Sequence, residues 1–141
     1  MFKIIVYIAI VPTLLIGYIL TLGWIEARNE AREDRLDAVE KLTDQAIKDY
    51  TKAIELDPRD THAYYNRGNT YYKKGQYDQA IKEYTKAIEL NPKLAEAYDD
   101  RGFAYFDKLG DKNRGCTDWK QACDLGVCEN YNLAKRNGDC K

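Results

Sequence analysis

All four cysteines of this chain, Cys116, Cys123, Cys128 and Cys140, fall within its last 26 residues. Thiols grouped so tightly can hold a metal, attach a haem or pair with one another. The gaps between successive members are six, four and eleven residues, and none makes the Cys-x-x-Cys pair that structural zinc and haem attachment use. An even, clustered set without that pair reads as two disulfides, which implies an oxidising compartment. Other reactive groups are sparse. The single histidine, His62, has no nucleophile or ligand spaced to meet it and reads as a polar residue near a helix start. The adjacent carboxylates Asp99 and Asp100 point apart in any regular element, and no glycine loop suits a phosphate. The expectation is a chain that is not an enzyme, with no cofactor, no metal and no small-molecule substrate.

The elements that position these groups come from a repeat. Residues 44–58 recur almost letter for letter as residues 78–92, a period of 34. A fixed period of this length marks a stacked array of small helical units. Within one unit, Ala63, Tyr64, Gly68, Tyr71 and Tyr72 lie at helical spacing, Gly75-Gln76 breaks the pattern, and Ala80, Ile81, Tyr84, Ala87 and Ile88 resume it. Asn91-Pro92 stops the second helix. A third unit repeats the first helix as Ala97, Tyr98, Arg101, Gly102, Tyr105 and Phe106 at the same spacing. From Gly110 the offset becomes 35, which reads as one extra residue in the turn.

Tyr64, Gly68, Tyr71, Gly75, Tyr77, Ala80, Tyr84, Ala87 and Pro92 together resemble the tetratricopeptide repeat (TPR) family. Arg67 departs from that pattern, where a small aliphatic residue is usual. The resemblance covers about residues 42–126 and implies an all-α fold, a short solenoid of TPR helix hairpins. It also implies a concave, protein- or peptide-binding groove. Its lining residues would be His62, Tyr65, Asn69, Tyr72 and Lys73 in the second unit, and Glu96, Asp99, Phe103, Phe106 and Asp107 in the third. Tyr72 and Phe106 hold equivalent places and are expected to face that groove together. A TPR subclass that grips C-terminal carboxylates needs cations and asparagines along the groove. Asn69 matches one, but Tyr65 and Asp100 replace others, which disfavours that role.

The ends of the array differ from its middle. Glu30, Glu33, Asp34 and Asp37 stand where the first unit should carry aromatics and glycine, so residues 26–56 read as one long helix, with a degenerate hairpin as the alternative. After the last unit, residues 129–136 read as a short helix ended by Asn137-Gly138. Terminal repeats need a cap, and a tail folded back antiparallel would join Cys123 to Cys128 and Cys116 to Cys140. Sequence alone leaves the other two connectivities open.

Ile4 to Ile25 carries no charge and is long enough to span a bilayer as a helix. It reads as an uncleaved anchor, because it exceeds a signal-peptide core and lacks a good small-x-small cleavage site; a cleaved signal peptide is the alternative. Arg28, Arg32 and Arg35 beyond it lean towards a cytoplasmic repeat domain, but the cysteines weigh more and place that domain outside the cytoplasm. Lys and Arg total 22 against 23 Asp and Glu, with no basic patch, so nucleic acid is not an expected partner. The organisation that results is an anchor at 1–25, a juxtamembrane helix and degenerate first repeat at 26–60, repeats at 61–94 and 95–126, and a cap at 127–141. The function it suggests is a membrane-anchored adaptor that binds a partner segment in its groove. The alternative is an assembly subunit docking through the end of the stack around Ile47, Tyr50 and Ile54.

Overall fold

The computed structural model describes residues 2–140, with side chains from residue 21 onwards. Every element is helical: α1 (Phe2–Leu56), α2 (Thr61–Lys73), α3 (Tyr77–Leu90), α4 (Ala95–Phe103), a π-helical turn (Ala104–Lys108), α5 (Lys112–Asp124) and α6 (Glu129–Arg136). Contacts divide the chain into two units, residues 1–41 and residues 42–141. The segment read as a membrane anchor lies mostly outside the residues whose side chains are described. Among the described residues, no helix is long and apolar enough to cross a membrane.

Local chemistry sets the helix ends of the second unit. Asp60 caps α2 by accepting from the backbone N–H groups of His62 at 2.9 Å and Ala63 at 3.0 Å. At the hinge between α2 and α3, Gly75 adopts φ +75°, and Gly110 adopts φ +69° between the π turn and α5; both are left-handed values that glycine takes without strain. The repeated Asp-Pro and Asn-Pro junctions also work through side chains. Asp57 and Asn91 accept from the N–H two residues on, at 2.9 and 3.1 Å, and so turn the chain out of the helix.

Each hairpin closes around a glycine and a large aromatic ring. A Cβ on Gly68 would lie 2.8 Å from the Tyr84 ring, and one on Gly102 would lie 2.7 Å from Trp119. Ala80, Ala87, Ala97, Ala104 and Ala122 are fully buried around these contacts. The ring heads are satisfied as well. Tyr84 Oη donates to Asn69 Oδ1 at 2.7 Å, and Trp119 Nε1 donates to the Asp99 carbonyl at 3.1 Å.

Arg67 is a structural clamp. Its Nε and Nη2 donate to the Glu83 carboxylate at 3.0 and 2.8 Å, while Nη1 donates to Thr51 Oγ1 at 3.0 Å. One guanidinium thereby ties α2 to its own hairpin partner α3 and to α1 of the preceding unit. Arg101 repeats the arrangement on Asp118, at 2.8 Å from both Nε and Nη2, and on Thr85 Oγ1 at 2.9 Å. Burial pulls the Arg101 pKa down, but the hydrogen bonds and charge of Asp118 more than reverse that and raise it.

The extra residue of the third unit is not in the turn. Gly75 and Gly110 serve the same hinge, so the insertion lies before Gly110, where the helix widens into the π turn. There Leu109 N–H reaches back to the Ala104 carbonyl at 3.1 Å. Widening turns the residues that follow around the helix axis. Phe106, in the middle of that turn, packs on α5, its ring 4.7 Å from that of Trp119. Gly115 admits it, since a Cβ there would meet the Phe106 Cβ at 2.6 Å.

Helix α6 covers the last repeat. Trp119, Ala134 and Cys140 form a buried cluster on which Phe103, Phe106, Cys116 and Tyr131 pack. Disulfides join Cys116 to Cys140 and Cys123 to Cys128, the pairing that an antiparallel cap implies. Lys112 Nζ meets Asp139 at 2.6 Å beside the outer bond.

Candidate functional site

The side chains that α2 and α4 direct at one another enclose a cleft of about 390 Å³, lined by Asn69, Tyr72, Lys73, Tyr84, Asp100 and Phe103. The Tyr72 ring stands 5.2 Å from Tyr77 and 6.2 Å from Phe103, so two aromatic faces form the walls. Tyr65 and Asp100 close one end, the Tyr65 hydroxyl donating to Asp100 Oδ2 at 2.8 Å. Lys73 is exposed at the rim.

Burial raises the pKa of the Asp100 carboxyl above the usual carboxylate value. Its bond from Tyr65 opposes that, and the charges of Asp99 and Glu96 add to it. Tyr65 is pushed up to about 12, first by burial, with the Asn69 hydrogen bond opposing and Asp100 adding to the rise. Burial likewise raises Tyr72 and Tyr84. The cleft is therefore a lasting array of neutral phenols around one partly desolvated carboxyl, which favours a cationic guest flanked by aromatic faces.

A second, smaller cleft of about 170 Å³ lies between the π turn, α5 and the cap. Phe103, Phe106 and Asp107 line it from one side, and Asn130, Leu133 and Asn137 from the other. Phe103 lines both clefts, its ring 6.4 Å from Trp119.

The ten residues assigned to one groove are thus divided. Tyr72, Asn69, Lys73 and Phe103 meet in the first cleft. Tyr65 adjoins it through Asp100, while His62 and Glu96 are exposed in the first turns of α2 and α4. Three residues stand differently from the expectation. Phe106 holds the place equivalent to Tyr72 but lines the second cleft instead of the first, its ring also 4.7 Å from that of Trp119. Asp107 is exposed on the second cleft only. Asp99 is not an open groove carboxylate, since both its oxygens accept from Asn130 Nδ2 of the cap at 2.9 Å. Burial raises its pKa, with the Asn130 bond opposing. Asp100 and Tyr84 complete the first cleft and were not among the expected lining. Asp100 carried a signal: it occupies a place where the carboxylate-gripping subclass keeps an asparagine. Among the described residues, no group of His, Cys, Asp and Glu is arranged to hold a metal ion.

Residues 43–75 and 68–108 match the TPR repeat family. Among solved structures, the second TPR domain of human RPAP3, in complex with an HSP70 peptide, is 27% identical, with a TM-score of 0.62 over 71% of this chain and 82% of that one. The Arabidopsis OM64 TPR domain is 26% identical, with a TM-score of 0.63 over 69% of this chain and 80% of that one. The first TPR of Spaghetti (RPAP3), bound to an HSP90 peptide, shares the fold at 24% identity and a TM-score of 0.63, over 71% of this chain and 79% of that one. No curated protein matches this chain.

Proposed function

Since residues 43–108 match TPR repeats, we propose that this chain is a peptide-binding adaptor whose first cleft takes a segment bearing a lysine or arginine flanked by aliphatic residues. The observation that carries this reading is Asp100, a partly desolvated carboxyl at the end of an aromatic-walled cleft. The RPAP3 domains hold HSP peptides with the acidic ending Glu-Glu-Val-Asp. The same cleft here carries a carboxylate and would repel such an ending, so the shared fold is turned to guests of opposite charge. The chain acts by binding and not by catalysis. Its apolar segment from Ile4 to Ile25 supports a single-pass anchor, and the two disulfides support a repeat domain outside the cytoplasm. On that reading the full chain stays in the membrane pellet after an alkaline wash, and its mature N-terminus precedes Trp24.

Fluorescence anisotropy with labelled peptides tests the cleft. Peptides carrying Arg or Lys among aliphatic residues should bind, and a peptide ending in Glu-Glu-Val-Asp should not. Asp100→Asn and Tyr72→Ala should each weaken capture at least tenfold, about 1.4 kcal/mol or more, with the helical signal retained. Asp100 has a raised pKa, so capture should fall as pH drops through a range above the ordinary carboxylate value. Stability changes the other way. The folded state holds that proton more tightly than the unfolded chain, so protonation of Asp100 adds stability as pH falls towards its unfolded value, and Asp100→Asn removes that gain. Preference for the acidic peptide, or capture indifferent to Asp100→Asn, would defeat this reading.

Docking through the N-terminal end of the stack is a second reading, favoured by two residues of α1. Leu42 is 70% exposed and Leu56 80% exposed, whereas Ile47, Tyr50 and Ile54 are already half-buried.

A further inference from the structure

Residues 21–41 form a stretch of α1 in which every side chain is exposed. Five of them are large and apolar: Leu22, Trp24, Ile25, Leu36 and Val39. Leu22, Trp24 and Ile25 close the apolar segment proposed as an anchor, whereas Leu36 and Val39 lie beyond it on a helix that faces water and gains stability by burying that face. Four of the five fall on one seam. Leu22, Ile25, Asn29, Arg32, Leu36 and Val39 follow one another at alternating steps of three and four, which are the a and d places of three heptads. Trp24 lies off the seam and carries the Arg28 guanidinium 4.3 Å from its ring centroid.

We infer that this seam is a homodimer interface, a parallel, in-register two-stranded coiled coil with a second copy of the chain. The flanking charges choose the occupant and its direction. The g places hold Arg28 and Arg35, and the following e places hold Glu33 and Glu40. In a parallel pair, each g residue meets the e residue of the partner's next heptad, so Arg28 faces Glu33 on both sides. In an antiparallel pair, g faces g and e faces e, which sets arginine against arginine and glutamate against glutamate. Asn29 at an a place adds the same preference, because a polar residue there fixes register and two-strandedness when it meets its own copy. Arg32 at a d place weakens the seam, and its long stem lets the charge reach water. From Thr43 onwards, the seam places, Thr43, Ala46, Tyr50 and Ala53, are half-buried in the repeat unit, so the seam ends there. This interface does not depend on the peptide cleft.

Cysteine scanning of the full chain in detergent tests the inference. Leu36→Cys and Val39→Cys place a thiol on the seam, while Asp34→Cys and Ala38→Cys place it outside. After mild oxidation, the two seam variants should give at least tenfold more covalent dimer on non-reducing gels than the two outer ones. Sedimentation equilibrium should find the wild-type chain dimeric. Glu33→Arg should raise its dissociation constant at least fivefold, and Arg28→Glu added to Glu33→Arg should restore it. An unchanged melting curve for the repeat unit shows that each variant remains folded. A monomeric wild-type chain, equal crosslinking at all four positions, or no rescue by the charge exchange would overturn the inference.

Discussion

The α2–α3 and α4–α5 hairpins are built to one plan and used for different ends. Both close a glycine against a large ring and carry an arginine that bonds an acid on the next helix and a threonine on the preceding one. They part at one residue. In the second unit, α2 runs to its end as a regular helix and leaves Tyr72 on a cleft. In the third, the equivalent residue, Phe106, lies within the π turn, lines the second cleft and packs on Trp119, and Gly115 replaces the alanine of the earlier unit to admit it. The first hairpin thus leaves its aromatic residue on the wider cleft, while the second packs its own on the cluster beneath α6. A one-residue insertion has divided one repeat design into a unit with the wider cleft and a unit that carries the cap.

The largest expected effect tests what the hairpins share. Arg101→Met strips the partner from Asp118, whose side chain is only 9% exposed, and Arg67→Met does the same to Glu83 at 16%. Leaving a buried carboxylate unpaired costs about 3–5 kcal/mol. Urea denaturation should show both variants strongly destabilised, with Arg101→Met the worse. Equal and small losses would mean that the clamps are not what couples successive units.

Next comes the closing unit alone. The Cys116–Cys140 bond spans 24 positions, and Cys116→Ser with Cys140→Ser should lower stability by about 2–4 kcal/mol. Hydrogen exchange should accelerate in α6 and α5, whereas α2 and α3 should keep their protection in the native state. Loss spread evenly over α2 to α6 would erase the proposed division of labour.

The smallest effect addresses the insertion. Gly115→Ala forces a Cβ against Phe106 and within 2.9 Å of the Gly102 carbonyl, an overpacking worth about 1–3 kcal/mol. The reciprocal Ala80→Gly should cost about 1 kcal/mol through helix propensity alone. If thermal melts show alanine to be harmless at Gly115, the π turn does not hold Phe106 where the structure places it.

Much of this was legible in the chain. The 34-residue period, the glycines facing Tyr84 and Trp119, and the hinge at Gly75 follow from spacing and side-chain size, as does a tail helix ended by Asn137-Gly138. The arginine clamps were legible but read as a tolerated departure, although Thr51, Arg67 and Glu83 recur as Thr85, Arg101 and Asp118. Sequence exposed the shifted offset at Gly110 but read the extra residue into the turn, whereas the helix absorbed it as the π turn.

Composition and periodicity therefore determined the helical class, the repeat boundaries and the clustered thiols, because these depend on local spacing that every copy of the unit repeats. Tertiary packing alone decided that Phe106 rests on Trp119, that Asp99 is engaged by Asn130 of the cap, and that Asp100 becomes the charged end of the cleft. Each of those outcomes rests on which helix occupies the neighbouring space, and a one-residue widening of α4 rotates side chains around the helix axis without changing the pattern of letters that encodes it.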